Sequence, residues 1–293
     1  MTTSTITQCA ACGAAMRPGL FEWHFVCNHC KFEKSSLTPK INEIDAMDES
    51  ARLTALKKLR QANFATLLNW LDHQYPSELQ TRPLLLEVGC AHGWFMEQAQ
   101  KRYDVEGIEP DKAIASATSA KGLRVRQGFF PDVLNDADVF DIIIFNDVLE
   151  HIPDVQSTLR SCHDHLSQHG HVVVNAPDSQ GIIYRLSKLM ARLGQSAPFE
   201  RMWQVGLPSP HLYYFDTQSI TRLATSTGFE VEAITALPSI EKTGLKERIH
   251  YAGSTSKIQS IIMAFCIRML LPLIRMSRPD IRVWLLRKQE PGR

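Results

Sequence analysis

The sequence predicts an α/β chain, a doubly wound and mostly parallel seven-stranded sheet behind a small metal-binding module. Three observations carry that prediction. Seven apolar runs of strand length alternate with helical stretches between residues 53 and 287. Two of the runs end in chemically loaded turns, Gly89-Cys90-Ala91-His92-Gly93 and Gly107-Ile108-Glu109-Pro110. Two C-x-x-C pairs precede all of them. With 293 residues there is room for one domain of about two hundred residues and an appendage.

The appendage comes first. Cys9-Ala-Ala-Cys12-Gly and Cys27-Asn-His-Cys30-Lys are separated by fourteen residues, a spacing that lets two tight knuckles face each other around one zinc ion. Four cysteines leave the metal no open position, so its role is structural. Gly13 permits the turn after the first pair, and Phe21, Trp23, Phe25 and Val26 supply a hairpin between the knuckles. A module of forty residues has little core, so the metal would supply its stability. His24 and His29 are left over from the ligand set and are expected at the surface or behind the ligands. Residues 1–40 form the expected zinc ribbon, 41–52 the linker, and 53–293 the main domain.

Within that domain, Leu56, Leu59, Phe64, Leu67, Leu68, Leu71 and Tyr75 recur at helical spacing, so a helix, broken or whole, spans 53–75 and packs on the sheet. Leu84 to Val88 suits a strand buried on both faces. Gly89 and Gly93 let backbone approach a ligand, and Trp94 opens a helix. Glu109, twenty residues beyond Gly89, stands where a carboxylate can accept both hydroxyls of a ribose. The dinucleotide pattern G-x-G-x-x-G would need glycines at 91 and 94, where this chain has Ala91 and Trp94, so a nicotinamide cofactor is disfavoured.

Glu87, Gly89, Ala91 and Gly93 fill, in register, the acid-x-Gly-x-Gly/Ala-x-Gly pattern. This segment resembles motif I of the class I S-adenosylmethionine-dependent methyltransferases. The resemblance implies a Rossmann-like sheet and a cradle for S-adenosyl-L-methionine. It places Glu87 near the methionine part, the 89–93 turn with Cys90 under the cofactor, and Glu109 with Pro110 at the ribose. Ala91 replaces the commoner glycine, which is tolerated at negative φ.

Asp111 to Lys121 is an Ala- and Ser-rich helix ended by Gly122, and Leu123 to Gln127 a short strand. Gly128-Phe129-Phe130-Pro131 follows at the sheet edge. Family members often place an acid there for the adenine amino group; here Phe129 or Phe130 could line the adenine face, or pack in the core. Phe140 to Phe145 is the clearest buried strand, and it empties into Asn146-Asp147-Val148-Leu149-Glu150-His151. In the resembled family this strand ends beside the methyl sulfonium, which adds Asn146 and Asp147 to the cofactor residues, and the Leu-Glu-His turn borders the acceptor. Asp147, Glu150 and His151 also match the acid-x-x-acid-His pattern of the ubiquinone-pathway O-methyltransferases, where it is linked to a divalent ion. The turn is too widespread to carry that substrate by itself.

His171 to Asn175 is the fifth strand, Gly181 to Leu193 an amphipathic helix, and Ala197 to Pro210 a loop rich in Pro, Phe, Met and Trp. Pro210-His211-Leu212-Tyr213-Tyr214-Phe215 resembles the family's Pro-His-x-x-x-Phe segment. Asp216 can cap a helix that Gly228 ends, and Phe229 to Ala236 and Val283 to Arg287 complete the sheet. The family usually joins these last strands by a short hairpin, whereas here about forty-five residues intervene. In this insert, at about 239–280, Arg268, Arg275 and Arg282 recur every seven residues opposite an apolar face. That pattern suits peripheral contact of 258–282 with an anionic membrane surface, or a core helix with solvated arginines. Residues 257–293 hold eight Lys or Arg against Asp280 and Glu290, so a tail of charge +6 hides within a net +1. Globally basic nucleic-acid binding is not indicated. Met1 to Gln8 lacks a charged start and an apolar stretch, so a cytoplasmic location is expected, with contact at the inner face of the membrane as an option.

Methyl transfer to a hydroxyl or acidic carbon needs a base. His151 is the first candidate, with an unperturbed pKa near 6.5; His211, Tyr213 and Tyr214 follow, as base or as positioning groups. The expected function is methylation of a small-molecule acceptor, a sugar, lipid or other metabolite. A zinc-ribbon-bearing ribosomal RNA methyltransferase is the alternative. Against it, residues 1–40 hold four Lys or Arg and two Glu, and Asn146-Asp147-Val148-Leu149 replaces the Asn-Pro-Pro-aromatic motif. A third reading, a non-catalytic binding protein, is answered by an intact cofactor pattern.

Overall fold

A computed structural model describes residues 8–40, 49–74, 82–240, 269 and 276–289. In chain order, β1 (Met16–Pro18), β2 (His24–Cys27) and β3 (Glu33–Ser35) precede α1 (Glu49–Gln74) and β4 (Leu84–Val88). Then come α2 (Trp94–Ala99), β5 (Asp104–Glu109), α3 (Lys112–Ser119), β6 (Val125–Gln127) and β7 (Phe140–Asn146). The rest are α4 (Val155–Asp164), β8 (Leu166–Pro177), α5 (Ile182–Arg192), α6 (Ala197–Met202), β9 (Tyr213–Tyr214), α7 (Thr217–Ser226), β10 (Phe229–Leu237) and β11 (Ile281–Lys288).

Seven strands make the expected sheet, in the order β10-β11-β8-β7-β4-β5-β6. From β8 to β6 every pairing is parallel, and β11 runs antiparallel to both neighbours. Strands covered on both faces read as continuous apolar runs, and Leu85, Leu86, Ile142 to Phe145 and Val172 to Val174 are buried throughout. One face packs on Phe64, Leu67, Leu68 and Leu71 of α1 with Phe95 and Met96 of α2. The other packs on Leu159 and Cys162 of α4 and Ile220 and Leu223 of α7, a core that runs on without a break into Cys9, Cys27, Cys30 and Phe32. The carboxyl ends of β4, β5 and β7 lie side by side at the centre of the sheet, so their turns share one edge.

A second sheet crosses from one part of the chain to the other. It has the order β1-β2-β3-β9, with Glu33 opposite Tyr214 and Lys34 opposite Tyr213. The amino-terminal hairpin thus gains a fourth strand from residues nearly two hundred positions later.

Several expectations change. The first helix is continuous from Glu49 to Gln74, and Tyr75 lies outside the described residues. The fifth strand runs from Leu166 to Pro177, longer than its apolar centre. The 197–210 stretch is not all loop: α6 forms within it, and its Phe199 and Trp203 are fully buried against Trp23, at ring-centroid distances of 6.0 and 5.7 Å. His24 is not at the surface either; it is buried, accepting from Leu20 N–H through Nδ1 (3.0 Å) and pairing with Glu33 through Nε2 (2.7 Å). Most of the 239–280 insert, including Arg268 and Arg275, lies outside the described residues. Arg282 does not extend a helical arginine stripe, because it belongs to β11 and donates from Nε to the buried Asp178 (2.6 Å). Among the described residues no helix is long and apolar enough to cross a membrane.

Candidate active site

β4 ends at Val88, and the chain then turns through Gly89 (φ +70°), Ala91 (φ +44°) and Gly93 (φ +71°). At Gly89 a side chain would be excluded twice, by φ and by Val148 Cγ2 at 2.7 Å from any Cβ. Alanine is tolerated here without strain only at negative φ, and Ala91 is found in the left-handed region. Two long-range bonds hold it there: its N–H donates to Glu109 Oε2 (2.9 Å), and its carbonyl accepts from Thr118 Oγ1 (2.8 Å). An L-residue in this region costs about 1–2 kcal/mol, part of which glycine returns as unfolded-chain entropy. Ala91→Gly should therefore raise stability by about 1 kcal/mol, seen as a melting temperature roughly 2 °C higher; an unchanged or lower value would show that Ala91 is unstrained.

Glu109 closes the turn from the next strand. Its Oε1 accepts from Asp111 N–H (2.9 Å), and the N–H of Gly128 donates to its carbonyl (3.0 Å). Phe129 stands 52% exposed at this edge, whereas Phe130 packs edge-on against Phe145 with centroids 6.0 Å apart. Phe130 is thereby partly buried against the core, and Phe129 is the one of the two that stands exposed at the rim.

Glu87 is buried beneath the turn. Asn146 Nδ2 donates to its Oε1 (2.9 Å), while its Oε2 has no partner among the described residues. Burial pushes its carboxyl up to about 8, the Asn146 amide opposing and the Glu109 charge adding to the rise. Once ionised, a buried carboxylate oxygen without a donor is costly unless a ligand supplies one. Glu87, Gly89, Cys90, Ala91, Asn146 and Asp147 line a cleft together with Arg60, Phe64, His92, Trp94 and Phe95, which sequence reasoning did not single out. Only the four-residue spacing of Arg60 and Phe64, one face of α1, hinted at them. Gly93, Glu109, Pro110, Gly128 and Phe129 continue the same edge outside this lining.

Beyond Asn146, Asp147 takes φ +55°, donates its N–H to Asn175 O (2.9 Å) and faces Arg60 Nη2 at 3.8 Å. Leu149 to His151 form a single 3-10 turn. The N–H of Leu212 donates to Glu150 O (2.7 Å), and His151 Nδ1 donates to Pro210 O (2.9 Å), so the turn and the 203–212 segment are tied together. The rings of His151 and His211 stand 4.7 Å apart at 71°. Gln204 Nε2 donates to His211 Nε2 (2.8 Å). Glu150 is buried beside them, and burial, then the Asp147 charge, push its carboxyl far above the usual range. The candidate ligand atoms of Glu150, His151 and His211 lie within 4.8 Å of one another; Asp147 is not in that group, its carboxylate facing Arg60 instead. Tyr213 is placed away from a base's position. Its hydroxyl donates to Pro153 O (2.6 Å), burial raises it to about 12, and its ring stacks on Phe32 at 5.4 Å.

The four amino-terminal cysteines converge. Cys9 and Cys30 Sγ are 3.5 Å apart, as are Cys12 and Cys27, and all four sulfurs fall within 4.8 Å. Tetrahedral zinc with Zn–S of about 2.3 Å needs S···S of about 3.8 Å, so the donor set fits. The N–H groups of His29 and Cys30 both donate to Cys27 Sγ at 3.4 Å, the hydrogen-bonding of a knuckle.

A family model described as a methyltransferase domain matches residues 47–234. Among solved structures, the chain is similar to one from the complex between the Haloferax volcanii Trm112 methyltransferase activator and the putative methyltransferase. That match is 11% identical, covers 84% of this chain and 96% of the other, and has a TM-score of 0.58. It is similar also to the cyclopropane synthase MmaA2 from Mycobacterium tuberculosis (18% identity, 85% and 88% covered, TM-score 0.50). The magnesium protoporphyrin IX methyltransferase from Synechocystis with bound SAH is 10% identical, with 84% and 90% covered and a TM-score of 0.50. At these identities the likeness concerns the fold. No curated protein matches the chain.

Proposed function

This chain belongs to the methyltransferase domain family, and on that premise we propose that it transfers the methyl group of S-adenosylmethionine to an oxygen or carbon of a small-molecule acceptor. The acceptor class is a sugar, lipid or other cell-envelope metabolite. The observation that carries this reading is the turn at 146–151, which reaches a buried acid on one side and a histidine pair on the other: Asn146 bonds Glu87, and His151 meets His211. When bound, S-adenosylmethionine supplies a sulfonium methyl open to in-line displacement, so the protein chiefly aligns and excludes water.

Glu87 would take the ammonium of the methionine part, the 89–93 backbone would carry the cofactor, Glu109 and Pro110 the ribose, Gly128 and Phe129 the adenine edge, and Asn146 and Asp147 the side nearest the sulfonium. His151 is the base. A carbonyl oxygen can only accept, so its Nδ1 carries the proton given to Pro210 O, and Nε2 is the basic nitrogen of the neutral ring. His211 positions the acceptor, since its Nε2 accepts from Gln204. Tyr213 shapes the wall. Cys9, Cys12, Cys27 and Cys30 hold a structural zinc ion, with no position left open for chemistry.

Incubating the protein with methyl-labelled S-adenosylmethionine and fractionated cell extract should place label in a metabolite or lipid fraction. Label confined to RNA, or none in any fraction, would overturn the small-molecule reading.

A further inference from the structure

We propose that the zinc module is a positioning device for the acceptor side of the site, acting through β3 on the segment that carries His211. The proposal rests on the reading of His151 and His211 as the acceptor-side pair. Three sets of contacts support it.

The first is backbone. Ser35 N–H donates to Leu212 O (2.8 Å) and Ser35 Oγ to His211 O (2.7 Å), while Leu212 N–H donates onward to Glu150 O (2.7 Å). The peptide at 211–212 is thus clamped between the module and the Leu-Glu-His turn. Lys40 N–H adds a bond to Pro208 O (2.7 Å).

The second is ionic. Glu33, buried, accepts from His24 Nε2 (2.7 Å), Tyr184 hydroxyl (2.7 Å) and Lys188 Nζ (2.6 Å). One carboxylate thereby ties β2 and β3 to α5, and a buried charge with three donors resists displacement.

The third is aromatic. Phe21 and Trp23 stack on Phe199, and Trp203, edge-on to Trp23, accepts at its carbonyl from His211 N–H (3.1 Å). Both ends of the 203–212 segment are therefore set by residues of the module. The cofactor-side cleft is different, for none of the residues that line it comes from 8–40. Metal loading folds a module with little core of its own. Its loss should reach the His211 segment and spare the cofactor cradle.

Hydrogen exchange read by mass spectrometry, with bound S-adenosylhomocysteine measured by calorimetry, tests this without knowledge of the acceptor. With zinc stripped by a chelator and its release quantified, exchange of the peptide containing His211 and Leu212 should accelerate at least tenfold. The 84–93 peptide should keep its protection, and S-adenosylhomocysteine affinity should change less than twofold. Should stripping unfold the whole chain, Ser35→Ala in zinc-loaded protein removes only the hydroxyl bond. It should accelerate exchange at 211–212 and shift the NMR-detected titration of His211, and Ser35→Thr, which keeps a hydroxyl, should restore both. Unchanged exchange at 203–215 in the stripped protein, an unmoved His211 titration in Ser35→Ala, or an equal loss at 84–93 in Ser35→Ala or in a stripped chain that stays folded would each overturn the proposal. Failure of the small-molecule reading shows in the labelling experiment instead.

Discussion

Glu87→Gln is expected to weaken S-adenosylmethionine binding by roughly 10- to 100-fold and to remove its pH dependence. A hydrogen bond to a charged group is worth about 1.5–3 kcal/mol, and tenfold in affinity is about 1.4. The pH argument follows from burial. In the ligand-free protein the Glu87 carboxyl sits at about 8, so it holds a proton at neutral pH. A cationic ligand favours the carboxylate, so binding expels that proton. Affinity should rise with pH up to about 8 and level off above it, because below that value deprotonation is charged against binding. Calorimetry at pH 6.5, 7.5 and 8.5 in buffers of different ionisation enthalpy reads both the slope and the proton released. A slope that persists in Glu87→Gln would assign the titration to another group.

His151→Asn should lower methyl transfer to the acceptor identified by labelling by roughly 10²- to 10⁴-fold, the usual worth of a positioned base. S-adenosylhomocysteine affinity should stay within twofold. Asparagine is the informative replacement because its amide can still donate to Pro210 O, as His151 Nδ1 does, so the turn keeps its tie while the base is gone. His211→Asn should cost less, since its Nε2 accepts from Gln204 and its part is to position. An equal or larger loss at His211 would exchange the two roles.

Much of the cleft at the sheet edge was legible in the chain. Glu87, the glycine turn and Asn146 lie at the ends of apolar runs, and a buried strand that stops at glycine or a polar residue announces a sheet edge. Glu109 followed from its distance to Gly89. The conformation of Ala91 was not legible, because the bonds that force φ +44° come from Glu109 and Thr118, on other elements. Arg60 was missed for a similar reason. On α1 it reads as a solvated charge, and only the packing of the helix over the sheet brings it to 3.8 Å from Asp147. Arg282 differs from its expectation: the seven-residue spacing put it on a helix face with Arg268 and Arg275, which lie outside the described residues, but it belongs to β11 and bonds the buried Asp178.

The strands, the glycine turn at 89–93 and the four-cysteine set are each a local pattern whose physics acts over a few residues, and all three can be read along the chain. The hold on the 203–212 segment arises only in three dimensions. The bonds that set it join Ser35 to His211 across 176 positions and Glu33 to Lys188 across 155. No periodicity or spacing encodes such pairs, because strand addition and a buried ion pair form only once distant surfaces have met.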